Sequence, residues 1–299
     1  MLHLLESMKD LVVKALKQIE ASAKTGIWEA HKGCSVIAGA LLIEDALIEK
    51  GARTLVRSLL EQVLVAGPST DGKGCVVQDD LGLESFSTSL AAELRPHARS
   101  SREIGHDVIY SAYVVKALER FEITPWDSLR DQVILLIRKI KASGPGWITV
   151  NGTNEVRELP EGGIEAEADL WTIFSGFDRP REMEVGDMQL GHVLTHGHAI
   201  EMSRAWARPG LTGDFNVGLG RRLAGLRLAN NDQRDRIPLR RRKVDPRTKE
   251  YWRLAESLGD MHGHAFKYAY SFLDLRRNAV SDADLESFGR IVWPDAPRL

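Results

Sequence analysis

Two short segments of this 299-residue chain repeat one histidine pattern. The segments "THGHAIEM" at 195–202 and "MHGHAFKY" at 261–268 both place His-Gly-His-Ala before an apolar residue. Imidazole titrates near neutral pH and is also a common ligand of transition metals, so the pattern indicates either an acid–base site or a metal site. The histidines of the two pairs are His196, His198, His262 and His264.

The second histidine of each pair belongs to a series of four histidines that are predicted to begin helices. These helices are unusually apolar and rich in Ala, Gly and Ser, and helices of this kind are usually buried. The four residues are His31, His106, His198 and His264. Tyr110 and Tyr268 follow two of them by four residues and therefore share their helix faces. We expect the histidines to act as general acids and bases, with both tyrosines as proton donors.

Metal binding by the two His-x-His pairs is a second interpretation. In it, His196 and His262 supply further imidazole ligands from the turn before each helix. Positions i and i+2 of a helix diverge by about 200°, so both members of a pair can ligate one ion only if the first lies in a loop. The activity would then be that of a metal-dependent hydrolase or oxygenase.

A helical-repeat scaffold without catalytic activity is a third interpretation. The same histidines would then cap helices or pack against neighbouring helices. Other frequent sites have no support in the sequence, which lacks a Walker A motif and a G-x-S-x-G motif. The pair Gly218-x-Gly220 is not preceded by the strand that a dinucleotide-binding fingerprint requires.

Helical periodicity extends over nearly the whole chain. A short β-hairpin with an Asn-Gly turn is predicted at 146–159. About twelve helices are predicted, near 2–23, 29–50, 52–66, 84–98, 103–121, 125–142, 163–176, 187–207, 214–229, 246–258, 260–276 and 281–292.

Alternation of buried and amphipathic helices predicts that residues 1–299 form a single all-α domain, an α/α toroid. An inner ring of helices would be surrounded by an outer ring, and the inner helices would all start at one rim. Their first turns would then bring the four helix-initiating histidines around one central cavity. The alternative is two or three separate helical bundles, in which these histidines never meet.

The composition gives no indication of nucleic-acid binding or of a membrane span, and it favours a cytoplasmic location. The net charge of −2 and the sequence pI near 6.5 give no reason to expect nucleic acid. No run of about 18 apolar residues is present, so no membrane span is predicted. Because no signal peptide is recognisable and the two cysteines form no disulfide framework, we expect a cytoplasmic protein. A small-molecule substrate and a homodimer are compatible with this composition.

The segment "HDVIYSAYVVKAL" resembles the helices of questin oxidase-like proteins, which begin with the pattern H-x-φ-I-H-φ-x-Y. His106, Ile109 and Tyr113 stand at matching positions, and Tyr110 replaces the second histidine of the family. The resemblance implies an α-helical toroid with monooxygenase activity in secondary metabolism. It also implies a Baeyer–Villiger-type ring cleavage of an aromatic polyketide, with NADPH and O2. We therefore expect a small hydrophobic or aromatic substrate.

Overall fold

The computed structural model describes residues 7–26, 29–65, 82–100, 105–142, 186–231, 243–257, 263–277 and 280–292. Within these ranges the chain is all-helical and contains no strand. The predicted hairpin at 146–159 and the predicted helix at 163–176 lie outside them. The eleven α-helices that the described residues form are α1 (Met8–Thr25), α2 (Glu29–Glu44), α3 (Lys50–Val65), α4 (Leu83–Leu94), α5 (His106–Arg120), α6 (Asp127–Ala142), α7 (Gly186–Ser203), α8 (Pro209–Asn231), α9 (Lys249–Ser257), α10 (His264–Leu275) and α11 (Asp282–Val292).

Side-chain caps fix the starts of the first and last of these helices. At α1, the Asp10 backbone N–H donates to Ser7 Oγ and the Ser7 backbone N–H donates to the Asp10 carboxylate. Ser281 and Asp284 make the same reciprocal pair at α11, at 3.2 and 2.8 Å. Such caps typically stabilise a helix by about 1 kcal/mol.

Four central helices, α2, α5, α7 and α10, pack in a closed cycle. The neighbouring pairs are α2 with α5, α5 with α7, α7 with α10, and α10 with α2. Every residue of α2 from Ala30 to Leu42 is buried except Lys32. Small residues permit the close packing of α2 against its neighbours. A Cβ on Gly39, for instance, would lie 2.4 Å from Leu60 and 3.0 Å from Phe266. The apolar helices of the sequence are therefore the buried ones.

Three of the central helices, α2, α5 and α10, run in the same direction. At one end, the ring of His31 in the first turn of α2 lies 4.5 Å from that of His106 and 5.1 Å from that of His264, centroid to centroid. At the other end, Asp45 after α2 accepts a 2.8 Å hydrogen bond from Arg120, the last residue of α5. Parallel neighbours are possible because outer helices return the chain between them.

The other helices cover this central group. Helix α1 packs on α2, α3 and α6, helix α4 on α5 and α6, α9 on α3, α8 on α7, and α11 on α7 and α10. Outer helices present one apolar face to the core, as α1 does with Leu11, Val12, Leu16 and Ile19. Burial of one such side chain contributes roughly 1.5–3 kcal/mol. Among the helices described, none combines the length and the apolar composition needed to cross a membrane.

The helix predicted near 187–207 is confirmed as α7, but the prediction that His198 begins a helix is wrong. Helix α7 begins at Gly186 and continues to Ser203, so His196 and His198 both lie in its second half rather than at its start. Gly197 between them does not interrupt the helix. A glycine in a helix interior costs about 1 kcal/mol relative to alanine, and the buried position of this segment offsets that cost.

Candidate metal centre

Four imidazole rings meet at the end of the bundle where α2, α5 and α10 begin, and each central helix supplies one of them. His31 comes from α2, His106 from α5, His192 from α7 and His264 from α10. The ring centroids are 4.5 Å apart for His31 and His106, and 4.8 Å apart for His106 and His192. They are 5.1 Å apart for His192 and His264, and 5.1 Å apart for His264 and His31. These residues form a closed ring, which we call the histidine cluster.

Left-handed glycines place two of these histidines at the first position of their helices. Gly105 precedes His106 with φ +80°, and Gly263 precedes His264 with φ +67°. Residues with a Cβ rarely adopt this conformation. A Cβ on Gly105 would also lie 2.4 Å from the ring of His196, so the glycine is required for space as well as for conformation. In these two Gly-His dipeptides, the glycine gives the backbone the turn that places the following histidine in the cluster.

Burial keeps His31 in its neutral form. His31, His106 and His192 are each 2% exposed, whereas His264 is only partly buried. The pKa of His31 lies well below its ordinary value, because burial disfavours the imidazolium and the nearby Lys267 and histidines add repulsion. Neutral imidazole is the form that ligates metals. His31 is therefore a neutral imidazole, with one nitrogen lone pair, at physiological pH.

Three of the rings could together hold a metal ion. Each of His31, His106 and His192 offers one nitrogen, and these three atoms all lie within 4.8 Å of one another. The Nε2 atoms of His31 and His106 lie 2.6 Å apart. Imidazole nitrogens bind transition metals at about 2.0–2.1 Å, so two nitrogens on one ion lie at most about 4.2 Å apart, and the three rings must shift to share an ion. In the described residues no carboxylate belongs to the group, and an all-imidazole set suits Fe, Cu, Zn or Ni rather than Mg or Ca.

A buried lysine determines which nitrogen of His31 is available. Lys267 is 2% exposed, and its Nζ contacts Nδ1 of His31. If Lys267 is an ammonium ion, Nδ1 accepts, and the proton of His31 must be on Nε2, where it points at His106. If Lys267 is neutral, it accepts from Nδ1–H and leaves the Nε2 lone pair for a metal, since metal-bound histidines usually donate their second N–H. Metal ligation by His31 therefore requires an uncharged Lys267.

Two phenol rings line the cluster. Tyr110 lies 5.2 Å from His106 and Tyr268 lies 5.5 Å from His264, centroid to centroid, so each tyrosine neighbours the histidine four residues before it. Gly191 makes room for Tyr268, because a Cβ there would lie 2.1 Å from the tyrosine ring. The structure thus brings together five of the six predicted catalytic side chains.

His198, the sixth predicted catalytic residue, does not belong to the cluster. Its Nε2 lies 2.9 Å from Oδ2 of Asp274, and its ring lies 5.2 Å from that of Tyr270. The ring that α7 supplies to the cluster is instead that of His192. A signal for it exists in the sequence, since Gly191-His192 is a further Gly-His dipeptide. Lys267, which sequence reasoning also missed, follows His264 by one helical turn.

His196 and His262 were predicted as metal ligands of the His-x-His pairs. His196, on α7, is buried with its ring against Gly105, and it does not belong to the group of mutually close ligand atoms. Its burial, together with repulsion from Arg222, lowers its pKa to about 3. His262 lies outside the described residues. His196 and His198 have different surroundings, as expected for residues two positions apart on a helix.

Comparison of the chain with protein-family models, with curated proteins and with solved structures gives no match. The resemblance of its helices to questin oxidase-like proteins stays a prediction from the sequence motifs. The histidine cluster is therefore the main basis on which a function can be argued.

Proposed function

We propose that this protein is a metal-dependent oxygenase that acts on a small aromatic or hydrophobic substrate. The observation that carries the proposal is the group of three buried imidazole nitrogens, from His31, His106 and His192, within 4.8 Å of one another. Three helices that are far apart in sequence supply them. Burying several imidazoles beside a lysine is costly unless they interact with one another or with a ligand, and a metal ion satisfies this requirement.

His31, His106 and His192 would hold the ion, and His264 completes the ring of imidazoles around it. An iron or copper ion in this position would supply the activation of O2. The surrounding helices exclude water from the site, which strengthens the electrostatic interactions within it. His264, the partly exposed member, marks the side from which a substrate would approach.

Tyr110 and Tyr268 would supply protons to the reacting oxygen atoms. Both phenols are almost completely buried and lie next to cluster histidines. In a reaction of the Baeyer–Villiger type, one atom of O2 enters the substrate and the other leaves as water. The balance takes two electrons from NADPH and one proton, and the use of NADPH follows from the resemblance to questin oxidase-like proteins.

A hydrolase is less consistent with the residues around the cluster. Metal-dependent hydrolases commonly use a carboxylate as general base beside the metal. Asp107 directly follows the cluster residue His106, and its Oδ1 accepts a 2.9 Å hydrogen bond from the backbone N–H of Val108. Asp107 thus binds the N-terminal backbone of its own helix, where a negative charge is favourable.

A metal-free acid–base enzyme is the second candidate, and one contact favours it. The 2.6 Å separation of the His31 and His106 Nε2 atoms is that of a short hydrogen bond. With an ammonium group on Lys267, a chain of donors would run from Lys267 through His31 to His106. The same substrate class and the same tyrosine proton donors would apply.

An α/α toroid is the fold that we propose for this enzyme. Its inner ring would consist of α2, α5, α7 and α10, and its outer ring of the helices that cover them. The closed cycle of central helices and the common direction of α2, α5 and α10 support this proposal.

Metal content tests the proposal directly. The purified protein, reconstituted with Fe2+, Cu2+ or Zn2+ and freed of excess metal, should retain about one equivalent of iron or copper. The variants His31→Ala, His106→Ala and His192→Ala should lose it. His97→Ala, in the 3-10 turn at Arg95–His97 and outside the cluster, is the matched control and should retain it. No retained metal would favour the metal-free enzyme, and retention of zinc alone would favour the hydrolase.

A further inference from the structure

A column of polar groups continues from the histidine cluster through the interior of the bundle. We infer that this column is a proton-transfer path that connects the cluster with Asp274 at the opposite end of α10. The inference rests on the proposed function, because an oxygenase consumes protons at a buried site.

One face of α10 carries a polar group at every turn. His264, Lys267, Ser271 and Asp274 follow one another at intervals of three or four residues and therefore lie on one side of the helix. Lys267 is 2% exposed and Ser271 is completely buried. Since Lys267 contacts His31 and the ring of His264 lies 5.1 Å from that of His31, this side faces the central bundle.

Tyr113 of α5 lies opposite Ser271 in the middle of the column. The Ser271 hydroxyl is close enough to influence the pKa of the Tyr113 phenol, although burial dominates and raises that pKa. The two hydroxyls do not form a well-aligned hydrogen bond with each other. Tyr113 also lies 6.1 Å from the ring of Tyr270.

His198 and Asp274 form the outer end of the column. The ring of Tyr270 lies 5.2 Å from that of His198, whose Nε2 lies 2.9 Å from Oδ2 of Asp274. The Asp274 side chain is 19% exposed and is paired with Arg277. Asp274 therefore reaches solvent, whereas His198 is 1% exposed. The order from inside to outside is Tyr113, Tyr270, His198 and Asp274.

Four polar atoms along this column are buried and have no hydrogen-bond partner among the described residues. They are the hydroxyl oxygens of Tyr113, Tyr270 and Ser271, and Nδ1 of His198. An unsatisfied buried polar group costs roughly 1–3 kcal/mol, so isolated cases are rare in folded proteins. Bridging water is the usual partner of such groups, and it would join them into a continuous chain.

The chemistry of the side chains suits proton transfer in either direction. Asp274 takes a proton from solvent, and His198 accepts it at Nε2 and releases its other proton from Nδ1. Each hydroxyl further inside accepts one proton and releases another, so that one bond to hydrogen forms as another breaks. The last transfer runs from the Ser271 hydroxyl, one helical turn from Lys267 on α10, towards the reacting oxygen at the cluster, and no electron moves in any step.

Hydrogen exchange at the cluster histidines tests the path in the metal-free protein. Protein labelled with 15N-histidine would show the ring N–H signals of His31 and His106, and their exchange with water can be measured by NMR. In Tyr270→Phe and in His198→Phe we expect this exchange to slow by about tenfold or more. Added imidazole should restore the rate in His198→Ala.

The matched control is Tyr251→Phe. Tyr251 is also buried, and its hydroxyl donates a 2.9 Å hydrogen bond to the carbonyl of Ala265 outside the column. This variant should leave the exchange rate of the cluster unchanged. Unchanged exchange in Tyr270→Phe would overturn the path and place proton entry at His264. Equal slowing in the control would also overturn it, because the effect would then not depend on the column. If His198→Phe does not fold, Tyr270→Phe decides, because it removes only a hydroxyl. Without metal in the sample, the outcome is independent of the metal-binding test.

Discussion

The Nε2 atoms of His31 and His106 lie 2.6 Å apart, although 75 positions separate the two residues in the chain. Two imidazole nitrogens so close together either share a proton or approach a common ion. The contact with Lys267 links these two possibilities, because the charge of the lysine decides where His31 carries its proton.

Removal of His192 should weaken metal binding far more than removal of His198. Both histidines lie on α7, but only the His192 nitrogen belongs to the group of mutually close ligand atoms. Because changes outside the ligand shell already cost 10–100-fold in affinity, we expect His192→Ala to lose at least about 100-fold. A competitive titration with a chelator would measure this. Equal losses in His192→Ala and His198→Ala would contradict the assignment.

Replacement of Lys267 by methionine should raise the pKa of His31 in the metal-free protein. Burial is the largest cause of the low pKa of His31 and remains in the variant, so the value should stay below the ordinary one. Repulsion from an ammonium group is the second cause, and it disappears. An NMR titration of the His31 ring would detect the change. An unchanged pKa would mean that Lys267 is uncharged in the native protein.

Alanine at position 105 should destabilise the protein. A left-handed conformation costs a residue with a Cβ about 1–2 kcal/mol, and the Cβ would also meet the ring of His196 at 2.4 Å. We expect Gly105→Ala to lose about 2 kcal/mol or more in the free energy of unfolding, measured with urea. Gly51 in α3 has nothing within 4 Å of its Cβ position, so Gly51→Ala should be neutral or stabilising by up to about 1 kcal/mol. Similar losses in both variants would argue against strain at Gly105.

Acid should destabilise the protein through His196. Its pKa is about 3 in the folded state, because burial and Arg222 disfavour the charged ring, and near 6.5 when unfolded. The unfolded state thus binds a proton that the folded state does not, and stability falls as pH drops from about 6.5 towards 3. Between pH 7.5 and pH 5 this one residue accounts for about 2 kcal/mol. Urea unfolding of His196→Gln at both values should show a pH dependence smaller by that amount, and an equal dependence would contradict the prediction.

The sequence predicts part of the histidine cluster because local signals coincide with it. His106 and His264 follow glycines at helix starts, where a positive φ is needed, and His31 lies in the first turn of α2. A residue in the first turn of a helix lies at that end of the bundle whichever way the helix is rotated about its axis, so first-turn residues of parallel helices lie near one another. The helix spacing also places Tyr110 and Tyr268 beside them.

Residues in the middle of helices could not be assigned in the same way. Helix α7 contains histidines at 192, 196 and 198, and its sequence does not say which face is turned inward. That rotation is set by packing, for instance by the fit of the Tyr268 ring against Gly191. His192 was therefore overlooked in favour of His198.

The common direction of the central helices has a consequence for the order in which the protein is made. Parallel neighbours cannot be joined by a short turn, so the contacts that build the cluster are far apart along the chain, with 236 positions between Lys267 and His31. Contacts between residues far apart in the chain raise the contact order, and a higher contact order slows folding. A growing chain holds His31, His106 and His192 before α10 is synthesised, but the cycle of helices stays open until then. The cluster is therefore complete only after α10 has been synthesised.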